Sequence, residues 1–330
     1  MAYPSKRCAV IALGGNAISP PDWEATIADQ FRHTRESLRS IVELLRKDYL
    51  FALTHGNGPQ VGDALRRVEL TKNELPEKPL GVLVADTQGS MGYMIEQSLQ
   101  NLLAREGIDR RVVTVITQVL VDDEDPALSN PTKFVGQIYT RAEAERFMRD
   151  HNWKMKPFDG DDRWRRVVGS PEPLEIINGE VINDLVRSGV IVIAAGGGGI
   201  PVYKHPFLGL EGCDAVIDKD LAGAILAKSI GADELIILTN IDAVYLDFGK
   251  PTKRSVERMT VDEACLLYTS DAADAASRYL EAGQFPSGSM GPKIRAAVNF
   301  LRAGGERTLI CALDQFDRAI HGKAGTWIIP

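Results

Sequence analysis

Short apolar runs alternate along the chain with longer stretches whose apolar residues recur every three or four positions. The runs are Cys8–Leu13 (CAVIAL), Tyr49–Leu53 (YLFAL), Arg111–Val121 (RVVTVITQVLV), Val190–Ala195 (VIVIAA), Glu234–Thr239 (ELIILT) and Arg307–Ala312 (RTLICA). They do not alternate apolar with polar, so they predict strands buried on both faces, as in a parallel sheet covered by helices on each side. Between them, Asp29–Lys47 places Phe31, Leu38, Ile41, Leu44 and Leu45 on one side of a predicted helix, and a second helix starts near Gln60. The reading is an α/β chain with right-handed crossovers, in which a ligand binds beyond the carboxyl ends of the strands.

One region breaks the rhythm. From about Asp122 to Pro173 the chain is polar and rich in Asp, Arg, Trp and Pro. An unstructured loop of that length is uncommon in a compact domain, so it is read as a small folded lobe protruding from the first half.

Three strand ends carry glycines: VIALGGNAIS (Val10–Ser19), ALTHGNGPQV (Ala52–Val61) and VIVIAAGGGGIPV (Val190–Val202). Glycine turns that feed helix N-termini offer backbone N–H groups and the positive end of a dipole to an anion. Gly14, Gly15, Asn16, Gly56, Asn57 and Gly58 are therefore candidate anion ligands. Lysines add mobile positive charge. Lys133 (NPTKFVG), Lys219 (AVIDKDLAG) and Lys293 (PSGSMGPKIRAA) stand in unusual company, the last two at helix starts. Lys219 is read as an exposed lysine between Asp218 and Asp220, carboxylates that would hold its geometry or assist a metal.

Composition narrows the choice. Over 330 residues the formal charge is -7, which disfavours a broad nucleic-acid or anionic-membrane surface. The four cysteines, Cys8, Cys213, Cys265 and Cys311, are scattered and read as reduced thiols. No signal peptide or membrane-length apolar run is visible, so the expected compartment is the cytosol. The P-loop, the dinucleotide fingerprint, H-E-x-x-H and G-x-S-x-G are all missing from the sequence, and the five histidines are isolated. What remains is a set of glycines and lysines, suited to cradling an anion.

ALGGNAI, THGNGPQVG, DTQGSMGYMIEQSL, NPTKFVG, AAGGGGIPV, EGCDAVIDKDLAGA, LTNIDAVY and FPSGSMGPK, in this order, resemble the carbamate kinases of the amino acid kinase family from about residue 7 to 330. The resemblance implies a three-layer αβα sandwich around an open, mainly parallel sheet, with the protruding subdomain at about 122–173. It implies an N-terminal lobe, 1–215, for carbamate or carbamoyl phosphate, and a C-terminal lobe, 216–330, for ATP or ADP. The implied reaction is reversible phosphoryl transfer between ATP and carbamate, run mostly toward ATP in fermentation of arginine or other nitrogen compounds. The implied form is a cytoplasmic homodimer without nucleic-acid or membrane partners.

By similarity, Gly14, Gly15, Asn16, Gly56, Asn57 and Gly58 hold carbamate and the transferred phosphoryl group. Lys133, Lys219, Asp220 and Lys293 are the catalytic set. Thr239, Asp242, Ala243, Tyr245, Met290 and Lys293 form the nucleotide pocket. Mg²⁺ is held mainly by the nucleotide phosphates, with few direct protein ligands. The alternatives are another amino acid kinase, acting on a carboxylate or a nucleotide, and a sensor that has lost turnover. The segment CLLYTSDAADAAS (Cys265–Ser277) departs from the family pattern and is expected to be dispensable.

Overall fold

The computed structural model describes residues 6–15, 18, 26–47, 49–158, 160, 162–268 and 290–330. An eight-stranded sheet crosses the molecule in the order Arg258–Thr260, Thr326–Ile329, Arg307–Ala312, Glu234–Thr239, Cys8–Leu13, Leu50–His55, Ile191–Ile193 and Val112–Thr114. Its pairings are parallel except between Arg307–Ala312 and Thr326–Ile329. The expected mainly parallel sheet is present, and strands from both halves of the chain pair at its centre.

Alternation along each strand builds the layers. Cys8, Val10 and Ala12 join one apolar core with residues of the helices Gly179–Arg187, Lys219–Ser229 and Met290–Arg302. Ala9, Ile11 and Leu13 join the opposite core with the helices Ile27–Arg39 and Leu80–Glu106. These are the three layers of an αβα sandwich. At the amino end of the strands, buried Glu234 takes Arg7 and Arg307 at 2.6 Å each, so charge removed from water there is paired.

Two predicted elements are divided. Asp29–Lys47 forms two helices, Ile27–Arg39 and Val42–Arg46, because the turn tightens to i→i−3 bonds at Ser40 and Ile41. Arg111–Val121 forms two strands, Val112–Thr114 and Gln118–Leu120. The break falls at Thr117, whose backbone N–H donates to the Gln88 side chain and whose C=O accepts from both Gln88 and the Ile200 N–H of a different sheet. Beyond it, Gln118–Leu120 joins a separate four-stranded sheet with Glu175–Ile176, Ile200–His205 and Gly209–Gly212.

Within 122–173, the strands Lys133–Tyr139, Met155–Pro157 and Trp164–Val168 form an antiparallel sheet beside the helix Arg141–His151. Tyr139, Ala144, Phe147 and Met155 give this unit its own core. It rests on the helix Gly58–Thr71 through Val61, Leu65, Val135 and Val168. Gly62 faces Gly136 there, and a Cβ on Gly62 would come within 3.1 Å of the Gly136 Cα. This seat sets where Lys133, the first residue of its strand, stands. Cys8, Cys213 and Cys311 are free thiols, and burial pushes Cys8 up to about 11. The segment Cys265–Ser277 begins in the helix Val261–Tyr268 and then continues outside the described residues.

Candidate active site

The strands Cys8–Leu13, Leu50–His55 and Ile191–Ile193 are neighbours, so their glycine turns converge at one edge of the sheet. The Gly14 N–H donates to the Leu238 carbonyl at 2.9 Å, and the Gly56 N–H to the Leu13 carbonyl at 3.1 Å. The lack of a side chain at Gly56 has a cause: a Cβ would lie 3.1 Å from the Gly15 nitrogen and 3.2 Å from the Lys219 Cδ. At Gly197, φ is +66° and a Cβ would come within 2.2 Å of the Asn57 amide. Gly58 is different, because a Cβ there would meet nothing within 4 Å. Asn16 lies outside the described residues.

The helix Lys219–Ser229 begins at the same edge. Asp218 caps it, its Oδ1 accepting from the Asp220 N–H at 2.9 Å. The three sequence-selected lysines meet on the two carboxylates. Lys219 Nζ is 2.6 Å from Asp220 Oδ1, Lys293 Nζ is 2.9 Å from Asp220 Oδ2, and Lys133 Nζ is 2.7 Å from Asp218 Oδ2. The reading of Lys219 as exposed is corrected: its side chain is only 17% exposed. It bonds Asp220, while Asp218 takes Lys133 from the small antiparallel unit. Asp218 is the extended N-cap and Asp220 lies two residues on, so the two carboxylates face different sides of the helix start.

Electrostatics follow from this packing. Burial alone would raise the Asp220 carboxyl, but the Lys219 and Lys293 ammonium groups outweigh it and hold the group well below the usual carboxylate range. Asp218 is lowered in the same way: burial and the Asp220 charge oppose ionisation, and Lys133 and Lys219 overcome them. Three ammonium groups against two carboxylates leave one positive charge in excess. The N-termini of the helices Lys219–Ser229 and Gly58–Thr71 add to it. Burial pushes the His55 imidazole down to about 4, with Lys219 lowering it further against a bond to the Gly56 carbonyl. His55 is therefore neutral at pH 7.

Two cavities meet at these lysines. The first, about 280 Å³, is lined by Gly56, Asn57, Gly58, Lys133 and Gly197. The second, about 480 Å³, is lined by Gly14, Thr239, Asn240, Leu313 and Asp314. Gly15, Lys219 and Lys293 line both. Asp242, Ala243, Tyr245 and Met290 line neither of these two cavities. Tyr245 donates to Asp242 at 2.7 Å, and Met290 is 6% exposed within the apolar core. Asn240, although inside the motif LTNIDAVY, is not singled out by the sequence, nor are Leu313 and Asp314, since they follow strands that carry no glycine or lysine signature. Among the described residues, no three His, Cys, Asp or Glu side chains are grouped to hold a metal. Asp218 and Asp220 are both engaged by lysines.

The chain resembles known proteins along nearly its whole length. Residues 7–312 match the model of the amino acid kinase family. Carbamate kinase of Pyrococcus furiosus is 41% identical over 323 residues, covering 97% of this chain and 98% of that one. The carbamate kinase-like protein YahI of Escherichia coli is 41% identical over 327 residues, covering 98% and 99%. The structure of carbamate kinase from Giardia lamblia bound to AMP-PNP superposes with a TM-score of 0.87 at 37% identity, covering 98% of this chain and 99% of that one. Fold, glycine turns and these matches agree: the chain belongs to the amino acid kinase family, and within it to the carbamate kinases.

Proposed function

We infer that the chain is a carbamate kinase, catalysing reversible phosphoryl transfer between ATP and carbamate to give ADP and carbamoyl phosphate. The observation that carries this is the pair of cavities sharing Gly15, Lys219 and Lys293, joined to the full-length likeness to carbamate kinases. A phosphoryl group at that shared wall has an acceptor chamber on one side and a donor chamber on the other.

Carbamate is already an oxyanion. Its oxygen attacks the γ-phosphorus, the bond from that phosphorus to the β,γ-bridging oxygen breaks, and ADP leaves with the electron pair. No proton needs to be removed, which matches a neutral, low-pKa His55 and the absence of a poised base among the described site residues. The demand is positioning and charge neutralisation. In this reading Lys219 and Lys293 neutralise the transferred group, Asp220 fixes both, and Lys133 neutralises the acceptor from the protruding unit. Gly15, Gly56, Asn57 and Gly58 surround the acceptor and phosphoryl group, while Gly14 and Thr239 line the nucleotide side. Mg²⁺, held by the nucleotide phosphates, would supply further neutralisation.

The proposed division of labour gives carbamate to residues 1–215 and the nucleotide to 216–330. The test is ATP formation from ADP and carbamoyl phosphate with Mg²⁺. ATP above the rate of spontaneous carbamoyl phosphate breakdown is expected. Folded protein that yields none overturns the reading, and turnover with acetylglutamate or UMP instead of carbamate assigns a different acceptor.

A further inference from the structure

The motif DTQGSMGY lies on the helix Leu80–Glu106, away from both cavities' lysines, yet it carries two buried polar side chains, Thr87 at 4% and Gln88 at 1% exposure. Polar groups buried in a helix facing an apolar core are costly unless each is bonded. Both are bonded, Thr87 directly to Asn57 of the first cavity. Asn57 Nδ2 donates to Thr87 Oγ1 at 2.9 Å, and the Thr87 hydroxyl donates to the Val84 carbonyl at 2.7 Å. Gln88 holds Thr117 by both backbone groups, accepting from its N–H at 2.8 Å and donating to its C=O at 3.2 Å. Thr117 Oγ1 in turn accepts from the Ala195 N–H at 3.0 Å, and the Thr54 hydroxyl donates to the Ala195 carbonyl at 2.9 Å.

Ala195 needs such support. It is a non-glycine residue in the left-handed region, at φ 52°, a conformation that persists only where the surroundings enforce it. It opens the Gly196–Gly199 turn, whose Gly197 faces the Asn57 amide. The Thr87 hydroxyl has one hydrogen, given to Val84, so it can only accept from Asn57. This fixes which edge of the Asn57 amide faces the helix.

We propose that Thr87 and Gln88 are positioning residues, a polar clamp on the helix Leu80–Glu106 that sets the orientation of the Asn57 amide and, through Thr117, the left-handed Ala195 that starts the Gly196–Gly199 turn. The clamp shapes the acceptor chamber and leaves the nucleotide side alone. It rests on the carbamate kinase reading above.

The test is steady-state ATP formation by Thr87→Val and Thr87→Ser beside wild type, with thermal unfolding of each. Losing one buried neutral hydrogen bond that orients an acceptor-side group is expected to lower kcat/KM for carbamoyl phosphate by about tenfold. The KM for ADP stays within about twofold, and Thr87→Ser, which keeps the hydroxyl, retains both constants within about twofold. Thr87→Ala removes the same hydroxyl without a methyl against Asn57; it gives the same selective loss and serves where Thr87→Val does not fold. Unchanged carbamoyl phosphate constants in the valine and alanine variants overturn the clamp, as does a loss shared equally by ADP or by the serine variant. A wild type without turnover overturns the carbamate kinase reading and the kinetic role of the clamp with it. Wild-type turnover with an unaffected valine variant overturns the clamp alone.

Discussion

Lys293 and Asp220 are 73 residues apart in the chain, and their side chains meet at 2.9 Å. The other Asp220 oxygen takes Lys219 at 2.6 Å. One buried carboxylate thus ties the helix Lys219–Ser229 to the helix Met290–Arg302 and orders two ammonium groups at once.

Asp220→Asn leaves those two ammonium groups without their shared counter-charge. Breaking a buried pair by removing one partner costs about 3–5 kcal/mol, and urea unfolding at neutral pH is expected to read a loss of that order. The sign with pH follows from the lowered carboxyl. Its contribution is fully present above the unfolded carboxyl value of about 4 and declines as pH falls below it. The gap between wild type and variant therefore narrows in acid. A gap that widens there contradicts the assignment.

Lys219→Ala is expected to lower kcat about a hundred- to a thousand-fold, the usual effect of losing one preorganised donor to developing charge. Because the side chain is mostly buried on Asp220, stability also falls, by about 1.5–3 kcal/mol for a charged hydrogen bond. Lys219→Arg does not restore turnover, since a planar fork cannot replace a compact ammonium threaded past Gly56. Kinetics and unfolding on the same preparation check both. Wild-type kcat in the alanine variant removes Lys219 from the mechanism.

Gly197→Ala and Gly58→Ala separate two uses of glycine. At Gly197 a methyl group meets the Asn57 amide in a backbone conformation unfavourable to alanine. A loss of about 1–3 kcal/mol and weakened carbamoyl phosphate binding are expected. At Gly58 a methyl group meets open space, so the melting temperature holds, and only the KM for carbamoyl phosphate rises if substrate passes close by. Equal destabilisation by both substitutions contradicts this geometry.

His55 is buried neutral, with its folded value near 4 against about 6.5 unfolded. The unfolded chain takes up the proton first as pH falls. Its contribution to stability is therefore complete above about pH 6.5 and declines toward pH 4. His55→Gln lacks that dependence, so its deficit relative to wild type is largest near neutrality and shrinks in acid. Melting curves across that range read it, and a deficit independent of pH contradicts the neutral, buried imidazole.

The sheet was legible because strands buried on both faces leave an unbroken apolar signature, and the glycine turns because few other residues can occupy such close backbone approaches. Lys133, Lys219 and Lys293 stood out by their neighbours. Their pairing did not: which carboxylate each lysine meets depends on the helix start at Asp218 and on the seat of the protruding strand against Gly62, neither of which is a local pattern. Thr117 was hidden inside an apolar run because its partners, Gln88 on a long helix and Ile200 in a second sheet, are distant in sequence. Asn240, Leu313 and Asp314 reach the second cavity simply by following strands that end there. Met290 followed the family motif into the expected pocket, whereas its side chain joins the core.

The wall common to the two cavities also bears on movement. Gly15, Lys219 and Lys293 face both chambers, so a phosphoryl group can change partners while its own surroundings stay still. In such an arrangement the travelling parts are the two flanking molecules, each drawing back by the length of a breaking bond. The same stationary contacts then serve either direction of transfer, and direction is left to the concentrations on either side.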